Sequence, residues 1–417
     1  MRKDLLYSGS TFQSTKGSIR RARLALVLAA LLTVPCISVQ GEEEKSSQSG
    51  FFLDTIITIT LYGDVDSTAM EGCFELLEEY EQLFSRTVEG SDVWNINHSQ
   101  GEPTDVSEET ASLIETALQY SELSDGAFDI TITPLVELWD IETKALLADS
   151  EDSADETEPV ADADADETDL GAEADAGDTG SGIEADAGDT GSGIEADAGD
   201  TGSGIEADAD EESVQTSDTS LIPSEEEIAE ALSHINYQTI SVDGTTVTLS
   251  DPDAEIDLGG IAKGYIADQL EDYLTSCGIE SALINLGGNV QTVGTKPDGS
   301  SWRIGIQKPF GGSSDIIAVI ECTGESVVTS GTYERYFEVD GKIYHHILDP
   351  KTGYPTDNGL TSVTIFADSS TQCDALSTTC FVLGLEDGME LIESIEGVEA
   401  LFITEDETLY YTSGFPR

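Results

Sequence analysis

The stretch Asp257-Leu-Gly-Gly-Ile-Ala-Lys-Gly264 joins the end of a short apolar run to a helix that continues as Tyr265-Ile-Ala-Asp-Gln-Leu-Glu-Asp-Tyr273. Gly259 and Gly260 carry no Cβ, so the backbone there can come close to a ligand. The helix start behind them offers unpaired N–H groups and the positive end of a dipole, which suits a phosphate or pyrophosphate. Glycines ahead of a helix are also ordinary turn chemistry, so the stretch needs support from the rest of the chain.

Immediately upstream, Gln238–Val242 and Thr246–Leu249, joined by Asp243-Gly244, read as a β-hairpin. Downstream, Ser281–Val290 reads as a buried strand running into a second glycine pair, and strands near Trp302–Ile306 and Ile316–Ile320 are expected to extend the sheet. Tyr344-His-His-Ile-Leu-Asp-Pro-Lys-Thr-Gly353 reads as a strand closing in a tight turn, Thr361–Ala367 as a strand, and a helix is expected from Ser369, with last strands near Leu401 and Leu409. Toward the N-terminus, Phe51–Tyr62 reads as one strand, Ser67–Phe84 as a helix, Ser91–Asn97 as a loop and the segment after Ser107 as a capped helix. Ala127–Trp139 combines strand-like alternation with a break at Pro134.

Several residues in this frame have chemical potential. Asp374 and Thr378 are four apart, so a helix presents their carboxylate and hydroxyl on one face. Such hard oxygens suit Mg²⁺, and the same pair near a helix start also suits capping. His345 and His346 point to opposite sides of a strand, so only one can face a cleft. Arg335 follows a glycine turn and suits either a phosphate contact or a surface pair with a carboxylate. Asp129 reads as a turn aspartate or a site residue.

Composition limits the function classes. The 417 residues hold 17 basic and 84 acidic side chains, a formal charge of -67, which excludes a nucleic-acid binder that works by phosphate neutralisation. An acidic protein handling an anionic substrate needs local cations to offset its own field, and Mg²⁺ is the obvious one. Residues 149–220 have no lysine, arginine or aromatic residue, and an eleven-residue unit recurs from Gly182 and Gly193 with a shortened copy from Gly204. One isoleucine per unit cannot offset chain entropy, so this segment is expected to be a disordered insert. At the N-terminus, Lys16, Arg20, Arg21 and Arg23 precede the apolar run Leu24–Val34, too short to span a bilayer and of signal-peptide length. Export is expected, with three outcomes open: lipid attachment at Cys36, cleavage after Gly41, or an uncleaved signal anchor. The remaining cysteines show no metal spacing, and buried free thiols are expected.

Ser124-Asp-Gly-Ala-Phe-Asp129 with Pro134-Leu-Val and Trp139, Asp257–Gly264, Asn285-Leu-Gly-Gly288, Ser330-Gly-Thr-Tyr-Glu-Arg335, His346–Gly353 and Asp374-Ala-Leu-Ser-Thr378 occur in this order. With these six motifs the chain resembles the ApbE family, the FAD:protein FMN transferases, over most of residues 51–412. The resemblance implies a single α/β domain of ApbE-like (T-fold-like) type with mixed sheets; its two parts, 42–148 and 221–417, are interrupted by the disordered acidic insert 149–220 and preceded by the signal or anchor in 1–41, both of which lie outside the resemblance. It implies that FAD is cut at its pyrophosphate and FMN passed to a threonine or serine of an extracytoplasmic acceptor flavoprotein bearing an Asp-x-x-Thr-Gly-Ala-Thr motif, with AMP released. It further implies that the Gly260 carbonyl, Asp374 and Thr378 hold Mg²⁺, and that Leu53, Ala127, Phe128, Asp129, Lys263 and Leu348 line the FAD site. His346 would activate the acceptor hydroxyl, supported by Asp257 and Arg335. Leu53-Asp54-Thr55 stands where many relatives have Met-Gly-Thr, and Lys263 where others carry Glu. Two further readings stay open: a hydrolase giving free FMN and AMP, and a flavin-binding protein without turnover.

Overall fold

The computed structural model describes residues 45–63, 67–146, 215–216, 219–312 and 314–416. The expectations for the signal region and for most of the acidic insert lie outside the described residues. Among the described residues, no helix is long and apolar enough to cross a membrane.

In chain order the strands are β1 (Lys45–Phe52), β2 (Thr55–Tyr62), β3 (Thr104–Asp105), β4 (Gln215–Thr216), β5 (Ile240–Asp243), β6 (Thr246–Leu249), β7 (Ser281–Leu286) and β8 (Asn289–Gly294). They continue as β9 (Trp302–Gln307), β10 (Ile316–Cys322), β11 (Ser326–Gly331), β12 (Tyr336–Val339), β13 (Lys342–His345), β14 (Leu360–Ala367), β15 (Glu399–Thr404) and β16 (Leu409–Tyr411). The helices are α1 (Ser67–Phe84), α2 (Asp92–Asn97), α3 (Glu108–Leu123), α4 (Thr133–Trp139), α5 (Glu225–Leu232), α6 (Ala262–Ser276), α7 (Ser370–Leu383) and α8 (Leu385–Glu393).

An eight-stranded sheet in the order β1-β2-β7-β8-β11-β14-β15-β16 organises the chain. Side-chain alternation along its strands builds two cores on one face and a third on the other. Ala282, Ile284 and Leu286 of β7 face a core shared with α1 and α6, and Val363, Ile365 and Phe402 face one shared with α7 and α8. On the opposite face Leu283, Val290, Val327 and Leu401 pack with Trp302, Ile304, Ile306 and Ile320 of β9 and β10. The expectation of an α/β chain with several sheets holds. The large sheet is antiparallel throughout, and the parallel pairing is β4 with β12.

Several local expectations are corrected. Phe51–Tyr62 is not one strand but most of a hairpin, turning at Leu53 and Asp54 (φ 51° and 58°) with Phe52 paired to Thr55. Both central residues are left-handed, the signature of a type I′ turn, and Asp tolerates that conformation in place of a glycine. Ser91–Asn97 is a short helix, because the Ser91 side chain accepts from the Trp94 N–H and caps it. The alternation in Ala127–Trp139 gives way to turns and α4, with Pro134 in its first turn, where a missing N–H costs nothing. β9 and β10 do not continue the large sheet; they pair only with each other as a ribbon across its face. Helix α8 was not anticipated. The hairpin β5–β6, helices α1, α3, α6 and α7, and the closing strands stand where the sequence places them. The described cysteines are free, as expected, although Cys277 is exposed.

Helices α6 and α7 pack with almost no gap, since a Cβ on Gly264 would lie 2.3 Å from the Ser370 carbonyl oxygen. Asp268 of α6 locks the N-terminus of α7. It accepts from Ser370 N (2.6 Å), Thr371 N (3.0 Å), Ser369 Oγ (2.9 Å) and Thr371 Oγ1 (2.6 Å). The carboxylate thus satisfies orphan donors and complements the helix dipole. Asp268→Ala is expected to lower stability by about 2 kcal/mol in denaturant unfolding. A loss below about 0.5 kcal/mol would mean that the cap is dispensable.

Candidate active site

The Asp257–Gly264 stretch lies where α6 begins, and its donors are mostly committed. Gly259 N donates to Asp257 Oδ1 (2.7 Å), Ile261 N and Ala262 N to Leu258 O, and Gly264 N to Asp374 Oδ2 (2.9 Å). Of the expected N–H cradle, the Gly260 and Lys263 N–H groups donate to no described residue. Gly264 N turns to Asp374, and among the described residues no N–H or O–H donates to the Gly260 carbonyl. The loop offers a bare carbonyl oxygen beside a carboxylate, which is a cation's environment. A Cβ on Gly260 would lie 3.1 Å from Phe128 Cε2 and 3.9 Å from Thr378 Oγ1, so a glycine here lets the loop approach both.

Asp374 and Thr378 lie on α7 as the spacing requires, and neither caps it; Ser369 does. Asp374 is only 3% exposed, and its second oxygen, Oδ1, lies 3.7 Å from Lys263 Nζ. Lys263 also donates to Gly259 O (2.9 Å). Thr378 Oγ1 meets Ser330 Oγ at 3.4 Å, and Ser330 in turn meets Ser377 Oγ at 2.8 Å. The sequence-selected Gly260, Lys263, Asp374 and Thr378 thus converge, with Ser330 at their edge.

The segment after β11 closes the other side. His346 N–H donates to Arg335 O (3.1 Å), its Nδ1 lies 3.4 Å from the same oxygen, and its Nε2 lies 3.8 Å from Glu334 Oε2. Burial, reinforced by Arg335, pushes His346 down to about 3, so the ring is a neutral base. Burial likewise pushes Glu334 up to about 7, with Lys263 and Arg335 opposing and Asp374 adding to the rise; its side chain is still 37% exposed, and solvent tempers the effect. Arg335 is exposed and forms no ion pair with any described residue, which leaves it available to an anion. His345 is the structural member of the doublet. Its Nε2 meets Thr356 O (2.9 Å), its Nδ1 accepts from Ile347 N (3.3 Å), and burial pushes it down to about 4.

The remaining expected residues play mixed parts. Asp257 Oδ2 pairs with Arg86 Nε at 3.0 Å, and its backbone N–H donates to Ile130 O, so it ties three segments together behind the glycines. Asp129 is buried with both oxygens engaged, Oδ1 by Thr131 N and Oγ1 and Oδ2 by Tyr237 N. Burial raises its pKa against these hydrogen bonds, which tie the turn after Phe128 to Thr131 and Tyr237. Phe128 reaches the Gly260 loop, and Ala127 is buried beside it. Leu348 packs instead in a separate cluster with Leu135 and Trp139, whose indole N–H donates to Gly353 O (2.7 Å). Leu53 lies at the tip of the β1–β2 hairpin, where its N–H donates to Glu81 Oε1 (2.9 Å). Leu53 packs against the core that also holds Phe128, Ala262 and Ala375, whereas Leu348 belongs to the other cluster.

Two residues with evident roles were missed. Glu334 lies inside a quoted motif, but nothing in the sequence placed it against His346 from across a hairpin. Arg86 is 171 positions from Asp257, and its only signal was being one of 17 basic residues. A His234–Asp251–Asp253 group with metal-ligand spacing also occurs, but His234 Nδ1 is already paired with Asp251 Oδ2 at 2.9 Å.

A bare carbonyl, a buried carboxylate and a hydroxyl, all hard oxygens, fit a Mg²⁺ ion that keeps waters and substrate phosphates as its other ligands. With a neutral histidine and an unpaired arginine on the opposite wall, this is the site of a phosphoryl- or nucleotidyl-transfer protein. The ApbE family model matches residues 53–199 and 203–402. A protein of Klebsiella pneumoniae (strain 342) named FAD:protein FMN transferase is 34% identical over 88% of this chain and 92% of its own length. One of the same name from Treponema pallidum (strain Nichols) is 29% identical over 94% and 93%. The crystal structure of the ApbE protein of Thermotoga maritima superposes with a TM-score of 0.66 at 31% identity, covering 90% of this chain and 100% of that one. The flavin transferase ApbE of Vibrio cholerae gives 0.64 at 27%, covering 90% and 99%. The chain belongs to the ApbE family.

Proposed function

We propose that this chain is an FAD:protein FMN transferase, using Mg²⁺ to move FMN from FAD to a threonine or serine of an extracytoplasmic flavoprotein. The observation that carries the reading is the convergence of the Gly260 carbonyl, Asp374 and Thr378 opposite the neutral His346. In the reaction the acceptor hydroxyl gives its proton to His346 Nε2, and its oxygen attacks the FMN-side phosphorus. The phosphoanhydride P–O bond breaks, and AMP leaves with the electron pair. Bound Mg²⁺ would neutralise pyrophosphate charge and hold the two phosphates in line. Arg335 binds a phosphate oxygen, and Lys263 orients Asp374. Phe128 packs against the Gly260 loop and shapes the wall there. Export, by lipid anchor, cleaved signal or signal anchor, would bring the site to its acceptor.

The test is incubation of the full-length chain with FAD, Mg²⁺ and a protein bearing the Asp-x-x-Thr-Gly-Ala-Thr segment. Intact mass should show an acceptor heavier by one FMN unit, with AMP released in equal amount. Free FMN and AMP with unmodified acceptor would make the chain a hydrolase, and unconsumed FAD would leave a flavin-binding protein.

A further inference from the structure

A cavity of about 320 Å³ lies behind the segment that carries Glu334 and Arg335. Its walls include Lys308, Pro309 and Phe310 between β9 and β10, Thr361 at the start of β14, and Glu405 and Glu407 of the β15–β16 hairpin. Two sets of contacts connect it to the site. Thr332 N donates to the Thr361 carbonyl (2.9 Å), and the Phe310 ring meets those of Tyr333 (6.1 Å) and Tyr336 (5.5 Å), which flank Glu334 and Arg335. Phe310 is 47% exposed and held at φ 54°, an unusual conformation for a bulky residue, so the loop displays an aromatic face at the cavity mouth. Of the charges in the wall, Glu407 is paired with Lys308 (3.0 Å), while Asp315 and Glu405 have no cationic partner among the described residues.

We propose that this cavity seats the acceptor polypeptide beside the hydroxyl that receives FMN. The inference rests on the protein-modifying reading above and extends it to how the protein substrate is recognised. A reaction on a protein needs the acceptor chain to cross the open side of His346, and the Thr332–Tyr336 segment is the rim it crosses. The Phe310 ring lies 6.1 Å from Tyr333 and 5.5 Å from Tyr336 of that rim, about two residues of extended chain. The lining selects an extended segment whose side chain has an apolar stem against Phe310 and a cationic or donor-rich end near Asp315 and Glu405. Such a subsite adds affinity for the acceptor without touching FAD.

The experiment compares wild type with Phe310→Ala and, separately, Glu405→Lys, each as the full-length chain. Transfer to the motif-bearing protein is followed by mass, and FAD cleavage without acceptor by AMP release. Both variants are expected to raise the KM for acceptor about tenfold, equivalent to about 1.4 kcal/mol, with acceptor-free AMP release and melting temperature unchanged. Unchanged acceptor KM in both variants overturns the proposal. A raised KM for FAD overturns it too, since the cavity would then belong to the nucleotide. If wild type cleaves FAD but modifies no acceptor, the transferase reading itself fails, an outcome distinct from either result in the variants.

Discussion

Asp374→Asn is expected to cut AMP release from FAD about 1,000-fold while leaving the fold intact, because a metal-ligand carboxylate supplies several kcal/mol and each 1.36 kcal/mol is a factor of ten. The two oxygens of Asp374 have different duties. Oδ2 accepts from the buried Gly264 N–H at 2.9 Å, and Oδ1 faces Lys263 Nζ at 3.7 Å. An asparagine can turn its carbonyl to Gly264 and preserve the helix contact, but it then presents an NH₂ where the cation should bind. Asp374→Ala strips the Gly264 N–H of its partner as well and should cost about 1–3 kcal/mol of stability besides. AMP release by chromatography, paired with melting curves, separates the two losses. Chelating Mg²⁺ from wild type should reproduce the asparagine result and leave the variant unaffected. Retention of more than about a tenth of wild-type activity in the variant would remove Asp374 from the metal site, since that is under 1.4 kcal/mol.

The fold was legible wherever local signals and burial agreed. The Ser67–Phe84 helix appeared with its boundaries intact because Met70, Leu77, Tyr80 and Phe84 fall on one buried face. The β5–β6 hairpin was marked by Asp243-Gly244, with φ 63° at the glycine. Failures came where the deciding interaction was a single side-chain contact. Ser91 turned an apparent loop into a helix by one hydrogen bond, and Leu53-Asp54 formed a left-handed turn without glycine. The ribbon β9–β10 has strand character in sequence, but which sheet it joins depends on burial of Trp302 and Ile304 against Leu283, a relation periodicity cannot express.

The site was legible as a set of motifs and not as an arrangement. Gly260, Asp374 and Thr378, read as one set, and Lys263, read for the FAD site, come together in the fold. Of the donors expected at the glycines, the fold spends Gly264 N on Asp374, and it leaves the Gly260 carbonyl bare, a feature that motif reading does not supply. Asp129 reads in sequence as a turn aspartate or a residue of the FAD site, and in the fold its oxygens accept from Thr131 and Tyr237. Glu334 and Arg86 escaped notice because each acts through a partner brought close only by tertiary structure.

His346→Ala is expected to cut transfer to the acceptor by about 100- to 10,000-fold, the usual span for a lost general base. The wild-type rate should climb with pH through about 7, with Glu334 as the titrating group. With its Nδ1 proton held toward Arg335 O, His346 keeps Nε2 free to accept, and its pKa of about 3 leaves it neutral across the working range. So depressed a base is weak alone; it takes a proton efficiently only if the resulting imidazolium has a nearby anion. Glu334 Oε2, 3.8 Å from Nε2, is that anion once ionised, and burial delays its ionisation to about 7. Below that pH the carboxyl is neutral and the imidazolium finds two cations, Arg335 and Lys263, and no counter-charge. Glu334→Gln should therefore abolish the rise near 7 and hold transfer at a low, pH-independent level, about fivefold under the wild-type plateau, as expected for one partly exposed charge pair worth about 1 kcal/mol. Persistence of the rise in Glu334→Gln would assign it to another group, and full transfer by His346→Ala would leave the acceptor hydroxyl to be deprotonated without this histidine.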